Sequence, residues 1–129
     1  MIIDLEWVQY LVVALIFWFL ASRLMPVKGL RNLSAEEVVE LLKRPAEHIF
    51  LDVREKHEYR QGHIRGFKNV PLSELKNRLG EIDPEKTVIL ACRSGMRSMQ
   101  AAKILKKHGF TRIGHLKHGI MGWHKGLTE

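Results

Sequence analysis

Apolar positions fall into three kinds of run along this chain. The first is unbroken. From Trp7 to Leu24 the sequence reads WVQYLVVALIFWFLASRL, with no polar side chain between Leu11 and Ala21. Eighteen residues of helix span about 27 Å, enough to cross the hydrocarbon core of a bilayer. The second kind is short and nearly continuous: Ile49 to Val53, Val88 to Ala91 and Ile113 to Leu116. Such runs predict strands buried on both faces. The third kind has helical spacing. Ser34-Ala35-Glu36-Glu37 is a capping box that opens a helix to about Lys43, stopped by Pro45. Further helices are predicted from Glu55 to Gln61, from Ser73 to Leu79, from Met96 to His108 and around Ile120 to Lys125. In the helix from Met96, the buried side is assigned to Ala101, Ala102, Ile104 and Leu105. Strands alternating with helices predict an α/β domain with a mainly parallel sheet.

The first run is expected to be an uncleaved membrane anchor. Trp7 and Tyr10 near one end and Trp18 near the other suit interfacial anchoring, with Leu11, Phe17 and Leu20 among the lipid-facing residues. Asp4 and Glu6 precede the run where a secretory leader carries cations, and no small-residue cleavage site follows it. A domain of this size has no core large enough to surround an all-apolar helix. Arg23, Lys28 and Arg31 all lie after the span and no Lys or Arg lies before it. The positive-inside rule then places the N-terminus outside and the C-terminal domain in the cytoplasm, with a single pass through the cell membrane. The expected organisation is an anchor over 1–25, a linker over 26–33 broken by Pro26 and Gly29, and an α/β domain over 34–129.

Composition sharpens this picture. The chain has 129 residues, 46% of them apolar, and a net charge of +7. That excludes an acidic disordered chain and a multi-span membrane protein. Residues 1–30 are net neutral, so the whole surplus falls on the soluble part, where it suits anionic small molecules or lipid headgroups. Basic residues alternate with acids and no aromatic platform is evident, so no nucleic-acid partner is expected. Cys92 is the only cysteine, which excludes an internal disulfide and a cysteine-rich zinc site and fits a reducing compartment. The histidines, among them His115, His118 and His124, lack metal-ligand spacing, so no metal is expected.

The chemistry concentrates at Cys92-Arg93-Ser94-Gly95-Met96-Arg97-Ser98. A buried strand delivers the cysteine to the carboxyl edge of the sheet, where open α/β folds place their ligands. A tight glycine-containing loop and a helix N-terminus follow, and successive amides there form an anion-binding nest. With Arg93 and Arg97 alongside, this setting should favour the thiolate, which is the nucleophilic form. A cysteine followed at once by Arg-Ser-Gly is not expected to be an inert core residue.

These residues resemble a known family. Leu51-Asp52-Val53-Arg54-Glu55, Glu58-Tyr59, Gly62-His63-Ile64, Gly66 and Asn69-Val70-Pro71-Leu72 look like the signature of single-domain rhodaneses. The cysteine loop and the closing Gly119-Ile120-Met121-Gly122-Trp123 match in the same order, so the likeness runs from about Leu33 to Leu127. It implies a parallel sheet of about five strands between helices, and a sulfurtransferase of the thiosulfate type. Cys92 would take the sulfane sulfur of a small anionic donor such as thiosulfate, become a persulfide, and pass that sulfur to cyanide, a thiol or a protein thiol. No organic cofactor or metal is implied. Asp52 would brace the active loop, Arg54 would pair with an acidic residue such as Glu58, and His63 would fix its loop rather than serve as a base. The sequence departs from the family pattern at Arg65, Phe67 and Lys117-His118, in segments expected to border the mouth of the site.

Two other functions compete for the same loop. A cysteine phosphatase would need five residues between cysteine and arginine, whereas four separate Cys92 from Arg97, and no acidic loop supplies a general acid. A tethered persulfide or redox carrier with little turnover of its own would use the same loop, so the two are separated by turnover, not by sequence.

Overall fold

Two five-residue strands carry the middle of the sheet: β2 (His48–Asp52) and β4 (Thr87–Ala91). In the computed structural model, which describes residues 5–24 and 27–129, they pair in parallel along their whole length, from His48 opposite Thr87 to Asp52 opposite Ala91. β4 then pairs with β5 (Ile113–Leu116), β5 with β1 (Arg31–Leu33), and β2 with β3 (Lys68–Asn69). The order is β1-β5-β4-β2-β3 and every pair is parallel, which is the five-stranded sheet the resemblance implied.

Side chains alternate across a strand, so each inner strand feeds two cores. Leu51, Val88 and Leu90 pack with Ala101, Ala102 and Leu105 of α5 (Met96–Lys107) and Leu75 of α4 (Leu72–Leu75). Phe50, Ile89 and Ala91 pack on the other face with Leu33, Leu116 and Val38 of α2 (Ala35–Leu42). Helices on both faces explain the nearly continuous apolar runs. The capping box of α2 forms as expected, with Ser34 Oγ accepting from Glu37 N and Ser34 N donating to Glu37 Oε1, both at 3.2 Å.

Several boundaries differ from expectation. β1 lies inside the stretch assigned to the linker: Arg31–Leu33 hydrogen-bond to β5, and Leu33 is a core residue. The helix expected over Ser73 to Leu79 is a single turn, α4, followed by a 3₁₀ turn at Leu79–Glu81. In that stretch only Leu75 is fully buried, and packing a single side chain does not support a longer helix. The closing helix is likewise a 3₁₀ turn, Ile120–Gly122, ended by the extended backbone of Trp123.

α1 (Leu5–Leu24) is a continuous helix whose Trp7, Leu11, Phe17 and Leu20 are each more than half exposed. Its window Leu5–Ser22 is long and apolar enough to cross a membrane, and none of it is buried in the domain. The expectations resting on Asp4, on Pro26 and on an anchor boundary at Met25 lie outside the described residues, as do the side chains of Arg23 and Leu24.

Candidate active site

β4 ends at Ala91, and the next residue, Cys92, stands at the carboxyl edge of the sheet. The chain then turns through Gly95, whose φ of +102° only glycine adopts readily, into the first turn of α5. This geometry wraps backbone donors around the sulfur. Gly95 N donates to Cys92 Sγ at 3.0 Å and Ser98 N at 3.4 Å. Ser98 Oγ lies 3.7 Å from the sulfur and 2.9 Å from Gly95 O. The thiol is 1% exposed and its inner side belongs to the apolar core, yet its sulfur is the acceptor of two amides. Two of the loop's amides, rather than the whole run, form the nest.

A second loop clamps the first. Ile120 N donates to Cys92 O at 2.8 Å and Met121 N to Arg93 O at 3.1 Å. The approach is possible because position 119 is glycine: a Cβ there would lie 2.5 Å from Cys92 O and 2.4 Å from Arg93 O.

The surrounding charges pair differently from expectation. Arg54 does not reach Glu58. Its Nε and Nη2 grip the Asp52 carboxylate at 2.8 to 3.1 Å, its backbone N donates to Asp52 Oδ1 at 3.0 Å, and Nη2 also donates to Gly62 O at 2.8 Å. Residues two apart on an extended segment share a face, so the near carboxylate wins over the one on the following helix. The Asp52 carboxylate therefore takes its hydrogen bonds from Arg54, and it meets the cysteine loop through the field it exerts on Arg97 and through its strand pairing with Ala91. Glu58, on α3 (Lys56–Gln61), instead takes a bidentate bond from Arg97, at 2.6 and 2.8 Å. Arg97 is thus committed to a carboxylate, while Arg93 is exposed and has no ion pair among the described residues. His63 bonds Tyr59 O through Nδ1 at 2.9 Å, stacks on the Tyr59 ring at 3.7 Å and bridges by its backbone to Thr128, so its contacts lie away from Cys92.

The Arg97 hydrogen bonds hold the Glu58 carboxyl well below its ordinary 4.5, at about 2, against the opposing effect of its partial burial. A depressed carboxyl stabilises the fold above its unfolded-state pKa and loses that contribution as pH falls toward the folded one. The gap in urea stability between wild type and Glu58→Gln should therefore hold constant above pH 4.5 and narrow between 4.5 and 2. A gap that stays constant through that window would rule the ion pair out as the link between α3 and α5.

Residues 34–126 match the family model described as "Rhodanese-like domain". The chain belongs to the rhodanese-like domain family. Its relatives include the uncharacterized protein YqhL of Bacillus subtilis, 38% identical over 110 residues that cover 85% of each chain. The thiosulfate sulfurtransferase PspE of Escherichia coli is 41% identical over 86 residues, 63% of this chain and 82% of that protein. Among solved structures, a rhodanese-related protein from Thermoplasma volcanium superposes with a TM-score of 0.64 at 31% identity, over 72% of this chain and 89% of the other.

The departures from the rhodanese-like pattern fall in different places. Phe67 is a core residue tilted against Phe50, with ring centroids 5.3 Å apart and ring planes at 56°, and does not border the mouth. Arg65 is exposed. Lys117 does border the cysteine loop: its carbonyl is 2.3 Å from where a Gly95 Cβ would stand, and it shares a surface pocket with Ser94 and Met96. His115, which lacks metal-ligand spacing in the sequence, is 3% exposed and bonds Ser98 Oγ through Nδ1 at 2.7 Å and Asn32 Oδ1 through Nε2 at 2.8 Å. The available signal was a histidine inside an otherwise apolar strand that ends at the same sheet edge as Cys92. Among the described residues no cluster of three or more His, Cys, Asp or Glu could hold a metal.

Proposed function

We propose that this rhodanese-like protein is a membrane-anchored sulfurtransferase. Cys92 attacks the sulfane sulfur of an anionic donor such as thiosulfate, sulfite leaves with the electron pair of the broken bond, and a persulfide remains. Cyanide or a thiol then removes the outer sulfur and returns the thiolate. The observation that carries this reading is the aim of the Gly95 and Ser98 amides at Cys92 Sγ. Fixed dipoles of this kind stabilise a soft anion without a cofactor or metal, the sulfur riding on the protein itself. Exposed Arg93 supplies the charge that draws a dianion in. With Cys92 1% exposed, the loop over 92–98 must open locally to admit the donor. The likeness to a thiosulfate sulfurtransferase supports the same donor class. Arg97, tied to Glu58, is not available to cradle a phosphate, which weighs against phosphoester chemistry.

The test is intact mass spectrometry after incubation with thiosulfate. The expected result is a gain of one sulfur atom on the Cys92 peptide, lost again on adding cyanide. No gain overturns the reading, and a sulfur that loads but resists excess cyanide assigns a carrier instead.

The anchor belongs to the same proposal. α1 exposes its apolar side chains all round, and Lys28 and Arg31 follow it, which supports a reading with the catalytic domain on the cytoplasmic face of the cell membrane. Protease added to intact cells should leave the domain whole; cleavage of the domain would reverse the orientation.

A further inference from the structure

The buried imidazole behind the cysteine loop has no part in the cycle above. His115 stands on β5, with Asn32 of β1 on one side and Ser98 of α5 on the other. Its Nε2 faces Asn32 Oδ1 at 2.8 Å. An amide oxygen only accepts, so Nε2 carries the proton and Nδ1 of the neutral ring is bare. The donor facing Nδ1 is the Ser98 hydroxyl at 2.7 Å, and that same oxygen lies 3.7 Å from Cys92 Sγ. Ser98 has one proton and two acceptors in reach, Gly95 O at 2.9 Å and Nδ1 at 2.7 Å. With its proton on Nδ1, its lone pairs face the thiol. The result is a directed chain from S–H through O–H to an imidazole nitrogen.

We propose that His115, acting through the Ser98 hydroxyl, takes up the Cys92 proton and so prepares the thiolate; the proposal rests on the sulfurtransferase reading of Cys92. The step balances. The thiol proton passes to Ser98 Oγ as the Ser98 proton passes to Nδ1, leaving a thiolate, a neutral hydroxyl and an imidazolium. No further reactant is needed. The new anion sits under the Gly95 and Ser98 amides, and the new cation keeps Asn32 Oδ1 as partner. Burial, reinforced by the nearby charge of Lys117, pushes the His115 pKa below its ordinary 6.5, so the resting ring is neutral; the same two effects oppose the imidazolium, which the thiolate formed across the Ser98 hydroxyl must offset. Lys117, in the turn that follows β5, is the charged group beside it; Asn32 of β1 and Ser98 of α5 face the ring directly, with Cys92 beyond the Ser98 hydroxyl. His115 also lines the surface pocket shared by Asn32, Ser94 and Lys117, which gives the ring a route for proton exchange with solvent. His115 touches neither donor nor sulfur, so it is a positioning residue.

The test is the pH profile of Cys92 alkylation by iodoacetamide on the full chain, which requires no sulfur donor. His115→Gln keeps a hydrogen-bonding side chain that cannot titrate, and the alkylation rate at neutral pH should fall about tenfold or more, its profile moving to higher pH. Ser98→Ala should give the same shift, and the double variant little beyond either single one. Asn32→Asp, at an exposed position, places a charged acceptor on Nε2 and should move the profile to lower pH. An unchanged profile in a His115→Gln protein that melts like wild type overturns the relay. Should His115→Gln fail to fold, an unchanged profile for Asn32→Asp overturns it equally. If the shifts appear but thiosulfate loads no sulfur, the sulfurtransferase reading falls and the relay stands; loading without the shifts sinks the relay alone.

Discussion

Cys92→Ser is expected to reduce thiosulfate:cyanide sulfur transfer to below about one ten-thousandth of the wild-type rate. A persulfide requires a sulfur to carry the second one, and no other cysteine exists in the chain. A serine hydroxyl stays protonated at neutral pH and cannot form the soft S–S anion that the amide donors are placed to hold. The same donors make the variant a fair test. Gly95 N and Ser98 N, now 3.0 and 3.4 Å from the sulfur, face an oxygen that accepts hydrogen bonds, so the loop keeps its partners. The fold should lose only about 1 kcal/mol, which for a domain of this size lowers the melting temperature by a few degrees. Thiocyanate formation and a thermal melt, run on the same preparation, separate the two effects. Turnover retained in Cys92→Ser would mean that sulfur reaches the acceptor without passing through this residue.

What the sequence revealed divides along a physical line. β2, β4 and the cysteine loop were legible because burial on two faces forces continuous apolar runs, and because Cys92, Gly95 and Ser98 sit within seven consecutive residues. β1 and β3 were not, since three and two residues carry too little pattern, and Arg31 and Asn32 are exposed. Partner choice was the least legible. The match of Arg97 to Glu58 crosses 39 positions and is made only when α5 meets α3. Arg54 had three carboxylates within four positions, Asp52, Glu55 and Glu58, and backbone direction decided among them. His115 comes to Ser98 from 17 positions away and to Asn32 from 83, distances at which spacing carries no information. The nucleophile was therefore readable from local order, whereas its supporting groups needed the packed sheet.

Arg54→Met should be the most destabilising single change near this edge, costing about 3–5 kcal/mol. Asp52 is 0% exposed, and Arg54 supplies three of its hydrogen-bond donors, Nε, Nη2 and its own backbone N. Methionine fills much of the volume of the arginine stem but leaves the carboxylate with only the backbone N. A buried carboxylate so placed must either remain charged without a counterion or take up a proton, and both cost stability. Gly62 O also loses the Nη2 donor that ties the end of α3 to this segment. The damage should reach the nucleophile, because Asp52 pairs with Ala91, the residue before Cys92, and Val53 N donates to Ala91 O at 2.9 Å. Native stability of a domain is about 5–15 kcal/mol, so a loss of this size leaves a sizeable unfolded fraction and an activity that declines with temperature. Removing both charges avoids the stranded carboxylate, so Asp52→Leu combined with Arg54→Met should recover most of the loss in urea midpoint. A single variant that costs under about 1 kcal/mol would place the pair in water, where such ion pairs contribute little. A double variant as unstable as the single one would instead show that the arginine's bond to Gly62 O, and not its neutralisation of Asp52, holds the end of β2 in place beside the cysteine.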